Sequence, residues 1–243
     1  MYKQKGETPL QGLDRLRARK EDLVGVKMSY AGRLDPMAEG VMIVLIGEEC
    51  KDREKYLGLD KMYVTEILFG VGTDTADILG KISASQKSVK SVKSKDVEKE
   101  LQKMVGKMNQ KYPAYSSKSF AGSYEDAHIG NVAEHSHEVE VYSAELFEVR
   151  EISSHDLLKK IQEDIARVKG DFRQEEIVKL WEKNIPRDVS QKFCVVKIRL
   201  VVSSGFYVRQ FAEDLGESIG VPALALSIIR EKVGEYGIHS CEL

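Results

Sequence analysis

Residues 193–202 carry the pattern that most narrows the fold of this chain. Apolar and polar side chains alternate there with the two-residue period of a half-buried strand. After the turn at Ser203-Ser204-Gly205, apolar residues recur at helical spacing as far as Gly220, a residue suited to ending a helix: Val208, Phe211, Ala212, Leu215 and Ile219. The sequence therefore predicts a strand that leads directly into an amphipathic helix.

Two further regions are predicted to be helical. Thr8 is a favoured N-cap, Pro9 suits the first helical position, and Gln11 completes a capping box. The section 152–181 has apolar residues in helical register before Gly170. Because strands and helices occur without regular alternation, we predict an α+β domain built on one mixed sheet. The 243 residues can bury a substantial core, as one large domain or as a domain with an insertion.

One carboxylate lies where a reactive side chain is usefully placed. Asp35 belongs to a loop constrained by Gly32, Pro36 and Gly40, directly before the apolar run 41–46. Most Asp-Pro pairs only form turns, so a structural turn is the alternative interpretation of this stretch alone. Asp35 is the candidate nucleophile.

Four blocks, taken in order, resemble the motifs of the TruB family of pseudouridine synthases, which isomerise a uridine in the T arm of tRNA. The blocks are Gly32-Arg33-Leu34-Asp35-Pro36-Met37-Ala38-Glu39-Gly40, Lys61-Met62-Tyr63, residues 70–80 with Thr73-Asp74-Thr75-Ala76-Asp77, and Gly205-Phe206-Tyr207-Val208-Arg209. Weaker matches lie at residues 110–118 and 214–217. The resemblance spans about Lys3 to Tyr236. It implies a pseudouridine synthase fold, with one mixed, largely antiparallel sheet flanked by helices and an inserted arm.

The resemblance also implies a domain organisation. Residues 1–243 are expected to form a single catalytic domain that includes an RNA-clasping arm at 111–142 and a helical insertion at 152–184. Because the sequence stops shortly after Tyr236, no C-terminal RNA-binding domain is expected.

The resemblance assigns roles to five residues around a flipped-out nucleotide, the uridine at position 55 of tRNA. Asp35 is the expected catalytic aspartate, and Arg209 keeps it ionised and oriented. Tyr63 is expected to stack on the base and to serve in proton transfer, with Ile228 against the other side of the base and Tyr207 in the same wall. Ordinary core packing is the alternative for the last three.

The chemistry implied by this resemblance is an isomerisation. The bond from ribose to N1 of uracil breaks, the base rotates, and a bond to carbon 5 forms. Since nothing is oxidised and no group is lost, no cofactor is expected. A carboxylate assists either by covalent attack on the sugar or base, or by removing a proton from the sugar. The sequence leaves both routes open.

Other polar clusters favour structural interpretations. The loop with Asp74 and Asp77 lacks the lysine of a phosphate-binding loop and the ligand count of a calcium loop, so its side chains are predicted to bond to their own backbone. In the family this loop lies near the active site, which makes Asp77 a candidate site residue. His135 and His137 are predicted on one face of a strand, without a third ligand for a metal. The three cysteines give neither a disulfide framework nor a zinc signature.

RNA binding requires positive charge, which the net charge of −2 conceals. Residues 81–118 contain ten lysines and three acids, whereas residues 119–149 contain seven acids and no lysine or arginine. Lys118, in the first of these segments, is a predicted RNA contact, and a solvated lysine-rich face is the alternative. Tyr30 is a ring that can insert into a base stack, and Arg33 is placed either to contact phosphate or to cover the surface.

Three functional hypotheses follow. The leading one is an active tRNA pseudouridine synthase that is expected to be cytoplasmic, monomeric, and independent of membranes and metals. The second is a non-catalytic RNA-binding or tRNA-folding protein on the same scaffold. The third is a hydrolase that uses Asp35 on another substrate. The absence of a signal-peptide pattern and of a long apolar run favours the cytoplasm.

Overall fold

The computed structural model describes residues 1–85, 92–113, 115, 135–185 and 187–241. Lys118 and most of the predicted arm at 111–142 lie outside these residues. The helices are α1 (Pro9–Arg19), α2 (Arg53–Leu57), α3 (Ser94–Lys103), α4 (Ser154–Ala166), α5 (Gln174–Asn184) and α6 (Val208–Ile219). The strands are β1 (Tyr2–Lys3), β2 (Met28–Ala31), β3 (Ala38–Val41), β4 (Ile43–Ile46), β5 (Lys61–Phe69), β6 (Val71–Thr73), β7 (Ile82–Ser85), β8 (Gly106–Lys111), β9 (Ser136–Ser153), β10 (Lys192–Val202), β11 (Ala223–Val233) and β12 (Tyr236–Gly237). None of the described helices has the length and apolar character that crossing a membrane requires.

The central sheet is mixed and largely antiparallel, as predicted. Within the described residues its order is β1-β3-β11-β5-β10-β9-β8, and β12 pairs with β11. The β3–β11 pair is parallel, whereas the other pairs in this sheet are antiparallel. Two small ribbons, β2–β4 and β6–β7, are separate sheets. This arrangement, together with the helices, confirms the α+β class.

The alternating side chains of β10 divide between two apolar cores, one on each face of the sheet. Val196, Ile198, Leu200 and Val202 pack with α3 and α6, while Val195 packs with α4 and α5. Helix α6 begins after Tyr207 and ends at Gly220, whose φ of 77° is the left-handed conformation that glycine adopts at little cost. The sequence therefore predicted this strand and helix correctly.

The N-terminal helix is also confirmed. The Thr8 side chain accepts a hydrogen bond from the Gln11 backbone N–H, and the Gln11 side chain accepts one from the Thr8 N–H, which completes the capping box. The section predicted as helical from residue 152 instead begins with the last two residues of β9, because Ile152 and Ser153 pair with β10. Two helices, α4 and α5, follow, with Gly170 between them.

The apolar run at 41–46 is divided between two sheets. β3 ends at Val41 and β4 begins at Ile43, and only β4 pairs with β2. Met42 lies between the two strands, where its N–H donates to the Met1 carbonyl. The aspartate loop is consequently held by the central sheet on its C-terminal side and by a ribbon on its N-terminal side.

Candidate active site

Asp35 lies in the loop that joins β2 to β3, and the backbone holds this loop in place. The Ala38 N–H donates to the Asp35 carbonyl at 3.0 Å. Gly40, on β3, has a φ of 117°, and a Cβ there would lie 2.3 Å from the Arg230 carbonyl oxygen. Only glycine therefore allows β3 to approach β11 this closely. The β3–β11 pairing fixes the position at which the aspartate loop enters the sheet.

Arg209 is the centre of the charged cluster. Its Nε donates to Asp35 Oδ2 at 2.8 Å, its Nη1 to the Thr75 carbonyl at 2.8 Å, and its Nη2 to the Tyr115 carbonyl at 3.2 Å. The Arg209 side chain is 5% exposed, and that of Asp35 is 35% exposed. Although burial opposes its charge, Asp35 and Asp77 raise the pKa of Arg209. The result is a permanently charged guanidinium that leaves one face of the Asp35 carboxylate accessible.

Asp77 is close to Arg209, but its side chain mainly bonds within its own turn. Its Oδ1 accepts hydrogen bonds from Thr75 Oγ1 at 2.7 Å and from the Leu79 N–H at 2.9 Å, the local bonding predicted for this loop. Its Oδ2 is 3.8 Å from Arg209 Nε. Burial raises the pKa of Asp77, and the Arg209 charge opposes that rise. Asp77 thus contacts the catalytic candidate Arg209 but does not line the cavity described next.

A cavity of about 440 Å³ opens over Asp35, a volume within the range of ligand sites, roughly 300–1,000 Å³. We call it the Asp35 cavity. Six of the residues that the sequence singled out line it: Arg33, Asp35, Tyr63, Tyr207, Arg209 and Ile228. Tyr63 and Ile228 are 7% and 6% exposed. Sequence motifs separated by more than 170 residues therefore meet at one site.

Tyr30 lies on β2, outside the residues that line the Asp35 cavity. Its backbone carbonyl accepts a hydrogen bond from Arg53 Nε at 3.1 Å. Arg53 itself lines the cavity. Tyr30 thus contacts the site through its backbone, and the insertion of its ring into a base stack stays a prediction.

Three cations that line the Asp35 cavity were not anticipated: Arg53, Lys61 and Arg230. Arg230 is 1% exposed. Its Nε donates to the Val41 carbonyl and its Nη2 to the Gly32 carbonyl, at 2.8 and 2.9 Å. Arg230 therefore ties the start of the aspartate loop, at Gly32, to the end of β3, at Val41. An isolated arginine in a strand carries no sequence signal for this role, although Lys61 could have been noticed as part of the Lys61-Met62-Tyr63 block.

Gln110 holds the segment that leads into α6. It is fully buried on β8, where its Nε2 donates to the Tyr207 carbonyl at 3.0 Å and its Oε1 accepts from the Tyr207 N–H at 2.8 Å. The amide thus bonds to both backbone groups of Tyr207, whose carbonyl also accepts the Phe211 N–H at 3.1 Å. Because Arg209 is two residues further on, Gln110 also restrains the position of the guanidinium.

The histidines and cysteines in the described part of the chain are not arranged as a metal site. β9 begins at Ser136, so His137 lies in the strand and His135 just before it. The His137 ring stacks on Tyr112 with centroids 4.2 Å apart, and its Nε2 is 3.0 Å from the Gly205 carbonyl oxygen. Among the residues that the structure describes, no group of three or more His, Cys, Asp or Glu side chains is arranged to hold a metal ion. The three cysteines, all within the described part of the chain, are free thiols.

Comparison with protein families finds one match over more than half of the chain. The sequence profile described as the N-terminal domain of TruB family pseudouridylate synthases matches residues 19–171. A protein of Thermotoga maritima called tRNA pseudouridine synthase B is 29% identical over 241 residues, covering 98% of this chain and 63% of that protein. A protein of Bacteroides fragilis with the same name is 29% identical over 216 residues, covering 89% of this chain and 76% of that one.

Solved structures share the fold at low sequence identity. A Cbf5-Nop10-Gar1 complex contains a chain that superposes with a TM-score of 0.59 and 16% identity, over 97% of this chain and 48% of that one. An H/ACA ribonucleoprotein bound to a substrate RNA containing 2′-deoxyuridine gives 0.57 and 15%, over 97% of this chain and 47% of that one. This chain therefore spans about half the length of these structural neighbours. The likeness confirms the pseudouridine synthase fold predicted from the motifs.

Proposed function

This chain belongs to the TruB family of pseudouridylate synthases, and on that premise we propose that it converts the uridine at position 55, in the T loop of tRNA, into pseudouridine. The observation that carries this proposal is the 2.8 Å contact between Arg209 Nε and Asp35 Oδ2 at the Asp35 cavity. The names of the relatives from Thermotoga maritima and Bacteroides fragilis support tRNA as the substrate.

The spacing of the cavity walls supports a flipped-out base as the group that binds. Tyr63 on β5 lies opposite Arg230 on β11, and Ile228 lies two residues from Arg230 on the same strand. Tyr63 and Ile228 are therefore diagonal neighbours on one face, about 7–8 Å apart, with their Cβ atoms somewhat closer. A planar ring between them has a surface on each side at van der Waals distance, about 3.5–4.0 Å. Stacking on Tyr63 would return about 1–3 kcal/mol of the cost of flipping the base.

The charges around Asp35 suit the isomerisation. The C1′–N1 bond breaks, the C1′–C5 bond forms, and the proton lost from C5 is balanced by the one that N1 gains, so the product is an isomer of the substrate. An ionised Asp35 serves either as a nucleophile or as a base toward the sugar. Arg209 Nε donates to the carboxylate and fixes its orientation. Both routes begin from the same charged pair.

Incubation of the purified protein with an unmodified tRNA transcript tests this function directly. We expect one pseudouridine, at position 55, when the product is mapped by a pseudouridine-specific chemical reaction followed by primer extension. A transcript with cytidine at position 55 is the matched control and should gain none. Tight binding of the transcript without any product would instead support a non-catalytic RNA-binding protein.

Gln110 provides a separate test of how Arg209 is held in place. Gln110→Leu removes the two hydrogen bonds that Gln110 makes to the Tyr207 N–H and carbonyl, and we expect it to lower kcat about 10-fold while KM for tRNA changes less than about 3-fold. The measurement is steady-state pseudouridine formation over a range of tRNA concentrations. Asn109→Leu is the control, because Asn109 is the exposed amide that precedes Gln110 on β8. Equal effects of the two variants on kcat would contradict the positioning role.

A further inference from the structure

Lys61 is a buried cation at the Asp35 cavity that has no acidic partner in the described part of the chain. The residue is 7% exposed, and its Nζ donates to the Leu57 carbonyl at 2.8 Å. No carboxylate oxygen of the described residues lies within 4.0 Å of this Nζ. An ammonium group has three donors, so the contact with Leu57 leaves two for another acceptor.

The surroundings of Lys61 disfavour its charge. Burial lowers the pKa of Lys61 to about 8, and the charge of Arg230 contributes to the fall, with Asp60 opposing it. The other charged side chains that line the cavity belong to the aspartate loop, to α2 and to α6: Arg33, Asp35, Arg53 and Arg209. Two buried cations close together cost free energy that a bound anion would recover.

Lys3 is a useful contrast because burial lowers its pKa to about 8 as well. Its Nζ donates to two carbonyls, those of Ala38 at 2.6 Å and Gln4 at 3.0 Å. Glu7 is the first of several carboxylates that favour its charge, and Lys3 does not line the Asp35 cavity. The contacts of Lys3 explain its charge within the fold, whereas those of Lys61 do not.

We propose that the Lys61 end of the Asp35 cavity is an anion subsite that binds a backbone phosphate adjoining the nucleotide held by Tyr63. This assignment rests on the proposed function for the identity of the ligand. Lys61 and Tyr63 are two residues apart on β5 and both line the cavity. Side chains at this spacing share one face of a strand and are separated by about 6.5–7 Å along it. A nucleotide whose base stacks on Tyr63 therefore has its own backbone within reach of the ammonium group.

Binding of modified RNA tests the subsite. A T-arm stem-loop is prepared with a neutral methylphosphonate at the linkage on the 5′ or the 3′ side of the target uridine. Binding is measured in an Asp35→Asn background, so that no product forms. We expect the methylphosphonate at one of the two linkages to weaken binding about 10-fold in the protein that has Lys61, and less than about 2-fold in Lys61→Gln. The reason is that the methylphosphonate and the Lys61→Gln substitution remove the same contact. Equal losses in the two proteins, or no loss at either linkage, would overturn the subsite.

Control variants separate charge from folding. Lys61→Arg should restore at least part of the sensitivity to the linkage. Lys99→Gln removes the same charge from the exposed surface of α3 and should leave the full 10-fold effect. Since the readout is binding, a protein that makes no pseudouridine but shows the coupling would overturn only the proposed function. A protein that makes pseudouridine without the coupling would overturn only the subsite.

Proton uptake gives a second measurement that needs no substitution at Lys61. A phosphate beside the ammonium group raises its pKa, so RNA binding near pH 8 should take up protons. Calorimetry of the same titration in two buffers with different ionisation enthalpies measures this uptake. The RNA with the methylphosphonate at the sensitive linkage should show less uptake than the unmodified RNA. Equal uptake with the two RNAs would overturn the proposal even if Lys61→Gln fails to fold.

Discussion

Asp35→Asn is expected to lower pseudouridine formation at least about 10⁴-fold, because the amide is neither a nucleophile nor a base. The fold should survive this change. The Asp35 side chain is 35% exposed, and an asparagine oxygen can still accept the hydrogen bond from Arg209 Nε. The measurement is single-turnover conversion of a tRNA transcript, with thermal unfolding recorded in parallel.

The matched control for this variant is Asp14→Asn. Asp14 lies on α1 with an exposed carboxylate that is 3.3 Å from Arg17 Nη1, and it does not line the Asp35 cavity. Its substitution changes net charge by the same amount and should leave the rate unaltered. Affinity for tRNA should change little in Asp35→Asn, since the stacking walls are intact. Conversion by Asp35→Asn at more than a few per cent of the wild-type rate would remove Asp35 from the chemistry.

Features encoded by neighbouring residues could be predicted from the sequence. The strand at 193–202 and its helix follow from local periodicity, and the start of α1 follows from a capping box within four residues. The Asp35, Tyr63 and Arg209 positions emerged from short motifs in a fixed order. Each of these signals is contained in a few consecutive residues, so no knowledge of the tertiary structure was needed.

The features that were missed depend on contacts between distant parts of the chain. Arg230 reads as a surface residue because Glu231 and Lys232 follow it, yet it is 1% exposed. Its burial results from the parallel pairing of β11 with β3, in which Gly40 lies opposite Arg230. The division of the apolar run 41–46 has a similar origin, since its two halves pair with different sheets. Local periodicity carries no information about either partner.

Two arginines hold the aspartate loop in position, and they bind different groups. Arg230 binds the carbonyls of Gly32, at the start of the loop, and of Val41, at the end of β3, whereas Arg209 binds the Asp35 carboxylate itself. Arg209 also joins the loop of Asp77 and the backbone at Tyr115, where the described residues reach the predicted arm. Positioning of the carboxylate, and contact with the segment expected to clasp RNA, thus meet in one guanidinium.

Substitution of Arg209 is therefore expected to have the largest effect on turnover after Asp35. In Arg209→Lys a single ammonium cannot reproduce contacts that diverge to Asp35, Thr75 and Tyr115, so we expect kcat to fall about 100-fold while tRNA affinity falls less than about 5-fold. Kinetics over a range of tRNA concentrations, combined with equilibrium binding, separate the two effects. Equal losses in kcat and affinity would contradict the assignment of Arg209 to the charged pair.

Arg209→Met should reveal the electrostatic role of the same side chain in stability. It leaves Asp77 buried without its cation, a change that typically costs about 3–5 kcal/mol. Burial already raises the pKa of Asp77, and removal of Arg209 raises it further. A carboxyl whose pKa is raised in the folded state loses stability as pH rises through that pKa, and a protonated Asp77 needs no cation. The deficit in the free energy of unfolding should therefore be largest at neutral pH and shrink as pH falls, as measured by denaturant unfolding at several pH values.

Arg187→Met, at an exposed pair with Glu182, should cost less than about 1 kcal/mol at every pH. A deficit for Arg209→Met that is independent of pH would show that the guanidinium stabilises the fold through packing and backbone contacts alone.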